Sequence, residues 1–280
     1  MSILITGARG QVGQAVIHRL HTVGRPVRAA SAKPADLTVP AGVEVAELDL
    51  GRPETFPAAL DSVRQVFLYP EPSGIDAFVA AARAAGVEHV VLLSSASVLA
   101  PDAETDPLAS HSFLVERALA ASGLPHTFLR PDAFASNALG WSYGIGQGLP
   151  IQLAYPEAQI APIHPEDIAD VAVEALTGTA LRGRALTLTG GRSLTFREQI
   201  AVLAEVLGRD LRVETITRAE AEQQMNRFLP AGFADSLLTL WAAATAGPAP
   251  IADTTRSLLG RPERTFHQWA VENATAFTPR

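Results

Sequence analysis

With 280 residues, 48% of them apolar and 18% charged, the chain has the length and balance of one large α/β domain, alone or with a smaller appendage. It contains no cysteine, which excludes disulfides, thiolate metal sites and cysteine nucleophiles. A formal net charge of −7 argues against a general nucleic-acid binder, which needs a basic face.

The opening residues carry no basic region followed by a long apolar run, and no stretch reaches roughly eighteen uninterrupted apolar residues. Neither a signal peptide nor a membrane span is expected, and the default is a cytoplasmic protein. Lys33 is the only lysine, every other basic residue being arginine, and tyrosine occurs only at Tyr69, Tyr143 and Tyr155.

Residues 2–6 read as a short buried strand. Residues 11–23 have apolar side chains at Val12, Ala15, Val16 and Leu20, which is helical spacing. Strands follow at 26–31, 43–48 and 63–69, with a short helix at 53–60 between the last two. A helix at 75–85 is stopped by Gly86. The apolar run 87–94 reads as a central parallel strand covered on both faces. A helix at 108–122 ends at Gly123, and 126–130 is a further strand.

This alternation implies an α/β fold with a doubly wound parallel sheet. Beyond it, 165–176 and 196–207 read as helices and 185–189 and 211–216 as extended. The tail 219–277 is largely helical, broken by Gly247-Pro248 and Pro250. The expected layout is a single Rossmann-type unit, its core over 1–155, with an interleaved, smaller and mostly helical C-terminal substrate lobe over 156–280.

The strand–turn–helix at the start carries Thr6-Gly7-Ala8-Arg9-Gly10-Gln11-Val12-Gly13. Gly7 permits a tight turn, Gly10 lets the backbone approach a pyrophosphate, and Gly13 lets the helix pack close to the strand. The phosphates then meet the N–H groups and positive dipole end of the helix. In this context the three glycines mark a dinucleotide site.

An NAD site usually places a carboxylate at the end of the second strand to accept from the adenosine ribose. Here Ala29-Ala30-Ser31-Ala32-Lys33 offers none before Asp36, whereas Arg9, Ser31 and Lys33 suit a 2′-phosphate. The residues therefore favour NADP(H) over NAD(H), although Lys33 also fits a solvated loop. Asp49, preceding Leu50, is placed to meet the adenine amino group.

These stretches resemble the NmrA-like members of the atypical short-chain dehydrogenase/reductase group. The resemblance rests on 6–13, Asp49-Leu50, Ser94-Ser95-Ala96-Ser97-Val98, Ser122-Gly123-Leu124-Pro125 with Leu129-Arg130-Pro131, and Ile163 to Ala169. Gly260-Arg261-Pro262 and Thr265-Phe266 add to it. It implies a Rossmann fold, a nicotinamide cofactor, and cofactor contacts from Ser94, Pro131 and Tyr69 besides the fingerprint. The group contains quinone and flavin-type reductases, biosynthetic reductases and NADP-sensing regulators.

Members of the wider short-chain group generally use a serine with Tyr-x-x-x-Lys, the lysine lowering the tyrosine pKa. Ser95 falls at the serine position, but the Tyr and Lys positions fall on about Leu108 and Ser112. No tyrosine or lysine exists between Tyr69 and Tyr143. The usual dyad is missing.

Hydride transfer without that acid suits a quinone, iminium or enone, which takes the incoming charge into conjugation. Tyr69, Ser95 and His111 are the candidate polar groups, with His111 reading equally as a surface histidine at a helix start. Phe134, Asn137 and Trp141, in a loop or short helix over 134–148, either contact a flat substrate or pack within the C-terminal lobe.

His164, Glu166 and Asp167 read as a helix cap with an acidic first turn rather than a metal cluster, and no metal is expected. Phe228 and Trp241 sit at ordinary core spacing. The leading expectation is an NADPH-dependent reductase of a flat, conjugated small molecule. A non-catalytic NADP-responsive regulator and a non-redox enzyme on the same fold fit the missing dyad as well. The oligomeric state stays open.

Overall fold

The computed structural model describes residues 2–278. The first stretch runs β1 (Ser2–Ile5), α1 (Gln11–Thr22), β2 (Val27–Ser31), β3 (Glu44–Glu47), α2 (Phe56–Leu60), β4 (Val63–Leu68), α3 (Ile75–Ala84), β5 (His89–Leu93), α4 (Ser110–Ala121) and β6 (His126–Pro131). Then come α5 (Ser142–Gly146), β7 (Ile151–Leu153), β8 (Gln159–Ile160), α6 (Pro165–Thr177) and β9 (Ala185–Leu188). The chain closes with β10 (Leu194–Thr195), α7 (Phe196–Leu207), β11 (Val213–Thr215), α8 (Arg218–Met225), α9 (Phe233–Ala243), α10 (Thr254–Leu259) and α11 (Phe266–Glu272).

Seven strands form one sheet in the order β3-β2-β1-β4-β5-β6-β9, every neighbouring pair parallel. This is the doubly wound α/β fold expected from the alternation. Strand residues alternate in facing. Leu4, Val66, Leu68, Val90 and Leu92 join Phe56, Leu60, Phe78, Val115 and Leu119 of α2, α3 and α4 in one core cluster. Helices α1 and α6 pack together and contact the strands as well. Arg19 of α1 ties them by pairing with Glu166 at 2.5 Å and with Asp170. Glu166 thus has a cation partner within the first turn of α6.

The chain divides into two compact units. The first comprises Met1–Thr105, Ala109–Pro131 and Pro165–Leu188; the second comprises Asp106–Leu108, Asp132–His164 and Thr189–Arg280. This differs from the expected division at 155/156, for two reasons. Helix α6 and β9 complete the parallel sheet. Residues 132–155 instead contribute Ala135, Ala138, Ile145, Ile151 and Leu153 to a core with Phe196, Leu203, Phe266, Trp269 and Phe277.

In that second core Trp269 is stacked with Phe266 at 5.4 Å and meets Phe277 edge-on at 6.2 Å. Thr195–Glu198 and Thr265–Gln268 capping boxes fix the starts of α7 and α11. Phe228 departs from expectation: it is 86% exposed. Helix α8 buries only Ala221, and Phe228 follows its end in a turn closed by its N–H on the Met225 carbonyl. The strand expected over 87–94 is shorter, because the Val87 N–H is spent on the Ala82 carbonyl past the Gly86 turn.

The first unit carries a buried polar device at the N-terminal end of β5. His89 is fully buried, with Nε2 2.9 Å from Thr127 Oγ1. Thr127 gives its only proton to the Leu181 carbonyl, so Nε2 must be the donor to Thr127, leaving Nδ1 deprotonated and without a partner. Burial, then the nearby charges of Arg182 and His126, push the His89 pKa down to about 4. An unfolded histidine titrates near 6.5, so the unfolded chain binds more protons between those values. Stability should fall by on the order of 3 kcal/mol as pH drops from about 6.5 to about 4. Urea midpoints measured across that range should show the loss in the wild type and a flatter profile in His89→Leu. Parallel profiles would assign the acid sensitivity to other groups.

Candidate dinucleotide site

The ligand edge of a parallel sheet is the edge where its strands end, and five neighbouring strands deliver their following residues there. The turn after β1 is set by Thr6, which is buried. Its N–H and hydroxyl both donate to the Phe67 carbonyl (2.9 and 3.2 Å), and its Oγ1 accepts from the Tyr69 N–H at 2.7 Å. Thr6 therefore clamps the ends of β1 and β4 together. Gly7 then turns with φ +61, and a Cβ there would sit 3.2 Å from Tyr69 Cβ. The Tyr69 side chain lies against this turn and is 51% exposed.

Gly10 donates to the Gly7 carbonyl at 2.9 Å and forms the N-cap of α1 in an extended conformation. It has no side chain to cap with, and no acidic residue occupies the first turn. Gly7, Arg9, Gly10 and Gln11 are exposed, while Val12 and Gly13 face inward. A Cβ on Gly13 would stand 2.4 Å from the Gly7 carbonyl oxygen and 3.0 Å from its carbon. Gln14 Nε2 secures the loop from below by donating to the Ala8 carbonyl. Bare backbone at a helix N-terminus, with nothing acidic in the first turn, fits a diphosphate.

After β2, the buried Ser31 accepts from the Lys33 N–H at 3.1 Å, and Lys33 itself is exposed. Arg9 Nη1 lies 4.0 Å from Asp36 Oδ2, a proximity the sequence did not disclose. After β3, Asp49 Oδ1 accepts from the Gly51 N–H at 2.9 Å, and Leu50 is part of the core.

After β5, Ser94 is buried and donates to Glu116 Oε1 at 2.5 Å. Arg130, near the end of β6, grips the same carboxylate through Nε at 2.9 Å and Nη2 at 2.5 Å. Glu116 was not singled out from the sequence. Its signal was the spacing of Ser112 and Glu116, one turn apart on the buried face of α4.

Ser95 caps a short turn: its Oγ accepts from the Ser97 N–H at 3.2 Å and lies 2.8 Å from the Ser97 hydroxyl. Pro131 ends β6 and is buried. His111, second residue of α4, is exposed.

The second unit holds the remaining candidates. Phe134 is half-buried beside Ile163 in an isolated bridge, and Asn137 is exposed on the 3-10 helix Ala135–Trp141. The Trp141 ring meets Phe196 edge-on at 5.9 Å, and Phe196 meets Trp241 at 5.0 Å, so Trp141 has a packing role. His164 Nε2 lies 3.1 Å from Glu272 Oε2. Among the described residues no three His, Asp or Glu side chains are grouped to hold a metal. Asp132, which sequence reading passed over, is half-buried, and burial pushes its carboxyl above the ordinary range against the opposing Ala133 N–H.

Fold and turn together define a dinucleotide-binding Rossmann protein. The family model described as NAD(P)H-binding matches residues 7–179. The chain is 40% identical over 282 residues, 99% of each chain, to (4-alkanoyl-5-oxo-2,5-dihydrofuran-3-yl)methyl phosphate reductase of Streptomyces griseus. It is 34% identical to NAD(P)H azoreductase of Xenophilus azovorans, over 98% of this chain and 99% of that one. Among solved structures, the NADPH-dependent quinone oxidoreductase of Escherichia coli complexed with NADPH superposes with a TM-score of 0.79 at 25% identity, covering 96% and 99% of the two chains. The chain belongs to this NAD(P)H-binding family, in its atypical short-chain dehydrogenase/reductase group, and is an oxidoreductase. No helix among the described residues is long and apolar enough to cross a membrane.

Two outcomes follow from this geometry. Gly13→Ala drives a methyl group into the Gly7 carbonyl, so α1 must shift. We expect a loss of about 1–3 kcal/mol in stability and at least tenfold weaker nucleotide binding, read by thermal melts and calorimetry. Glu116→Ala leaves the Arg130 guanidinium without its carboxylate, for an expected cost of about 3 kcal/mol in urea unfolding. A cost below about 0.5 kcal/mol would mean that solvent replaces the partner.

Proposed function

We propose that this oxidoreductase uses NADPH to reduce a small conjugated acceptor, with an alkene activated by neighbouring carbonyl groups as the preferred class and quinones next. The observation that carries the reading is a complete diphosphate cradle on a chain with no tyrosine or lysine between Tyr69 and Tyr143. Relatives named for a butenolide-type substrate and for azo compounds support it, because both kinds of bond spread incoming charge through conjugation.

When bound, NADPH supplies the hydride. The chain does the rest. In this reading the first-turn N–H groups of α1 hold the diphosphate, Arg9 and Lys33 take the 2′-phosphate, and Asp49 accepts from the adenine. Ser95 donates its O–H to the acceptor oxygen that gains charge, a bond that strengthens as the charge develops. Tyr69 covers the glycine turn. Phe134 and Asn137 are the proposed acceptor contacts, with Trp141 behind them, and His111 is the proposed proton source exchanging with solvent.

Enzyme-dependent oxidation of NADPH by a panel of butenolides, enones and quinones, with the two-electron-reduced product identified by mass, tests the reading. Inertness towards every acceptor despite tight nucleotide binding would remove it. Ser95→Ala should lower kcat/KM about 10- to 100-fold with NADPH affinity unchanged. Replacing Arg9 and Lys33 together by Ala should weaken NADPH far more than NADH in a fluorescence titration. Equal losses would show that neither residue reads the 2′-phosphate.

A further inference from the structure

Strands β1 and β2 are parallel neighbours in the register Ile5 with Ala29, so the turn after β1 and the segment after β2 leave the sheet side by side. Four residues with polar chemistry lie on these two segments: Arg9 on the turn, Ser31 at the end of β2, and Lys33 and Asp36 just after it. Arg9 and Asp36 form a loose pair, 4.0 Å apart, with 60% and 56% of their side chains exposed. Such a pair is worth well under about 1 kcal/mol in water and separates at little cost.

Each nucleotide brings different chemistry to this corner. A ribose 2′-hydroxyl is a donor and is best met by a carboxylate; a 2′-phosphate carries about two negative charges and is best met by cations. Arg9 and Lys33 supply two positive charges and Asp36 removes one. The corner therefore holds both receptors at once, and they oppose one another.

We propose that Asp36 sets the cofactor selectivity of this protein: its carboxylate receives the ribose hydroxyls of NADH, and it competes with the 2′-phosphate of NADPH for Arg9. The protein is then a dual-specificity enzyme whose preference for NADPH is held down by Asp36. Asp36 sits on a three-residue 3-10 helix, Pro34–Asp36, and buries nothing, so its side chain is free of a structural duty. Lys33 has no carboxylate partner among the described residues, which leaves Arg9 as the cation whose availability Asp36 controls.

The inference rests on NADPH being the reductant, and its test uses binding alone, so that the two can fail separately. NADPH and NADH are titrated calorimetrically, without any acceptor, into the wild type, Asp36→Asn, Arg9→Ala and the double variant. Asp36→Asn should tighten NADPH about three- to fivefold and weaken NADH by a similar factor. The NADPH gain should shrink below about twofold once Arg9 is Ala, since nothing is then left to compete for. An unchanged NADPH/NADH ratio in Asp36→Asn, or weaker NADPH binding, overturns the assignment while leaving the reductase reading intact. A wild type that binds neither nucleotide overturns both.

Discussion

The site depends on one close approach of backbone to backbone. Gly13 lies so near the Gly7 carbonyl that no side chain fits between them. That contact lets the N-terminus of α1 rest on the turn from β1, which brings the unpaired N–H groups of the helix to the end of the strand. Thr6 fixes the same turn from the β4 side and Gln14 fixes it from within the helix. With the turn held from three directions, the cradle is assembled before any ligand arrives, and the ordering cost of binding falls on the nucleotide rather than on the protein.

Much of this could be read in the sequence because the constraints are local. The spacing of Gly7, Gly10 and Gly13 after the apolar run Ile3-Leu4-Ile5 is a backbone requirement, and alternating periodicities delivered the parallel sheet. What escaped was non-local or lacked a periodic signal. Arg9 and Asp36 are 27 positions apart and approach only because β1 and β2 are adjacent. The Ser94–Glu116–Arg130 cluster joins two strands and a helix. Strands β7, β8 and β10 are two or three residues long, too short to show alternation. Phe228 was misjudged because helical spacing was carried past the end of α8 into a turn. The placement of 132–155 in the second core is non-local in the same way, because α6 and β9 return to the sheet after that excursion.

The missing dyad and the buried ion pair belong to one chemical pattern. On the face of α4 turned towards the sheet, Ser112 and Glu116 are buried, and the carboxylate of Glu116 is saturated by Arg130 and Ser94. A carboxylate held by a guanidinium and a hydroxyl is committed to those partners, so this face contributes rigidity. An acceptor that needs its oxygen protonated in step with hydride arrival would be served badly. One that stores charge over several atoms needs only a hydrogen bond, the role proposed for Ser95.

Lys33 projects from the exposed segment after β2 as the sole lysine of the chain. Amine-directed reagents that scatter over an ordinary protein surface would here find a single side chain, besides the terminal amine, and it stands beside the proposed 2′-phosphate site. The composition thus leaves a built-in handle: one acylation, made without mutagenesis, reports from beside the ligand.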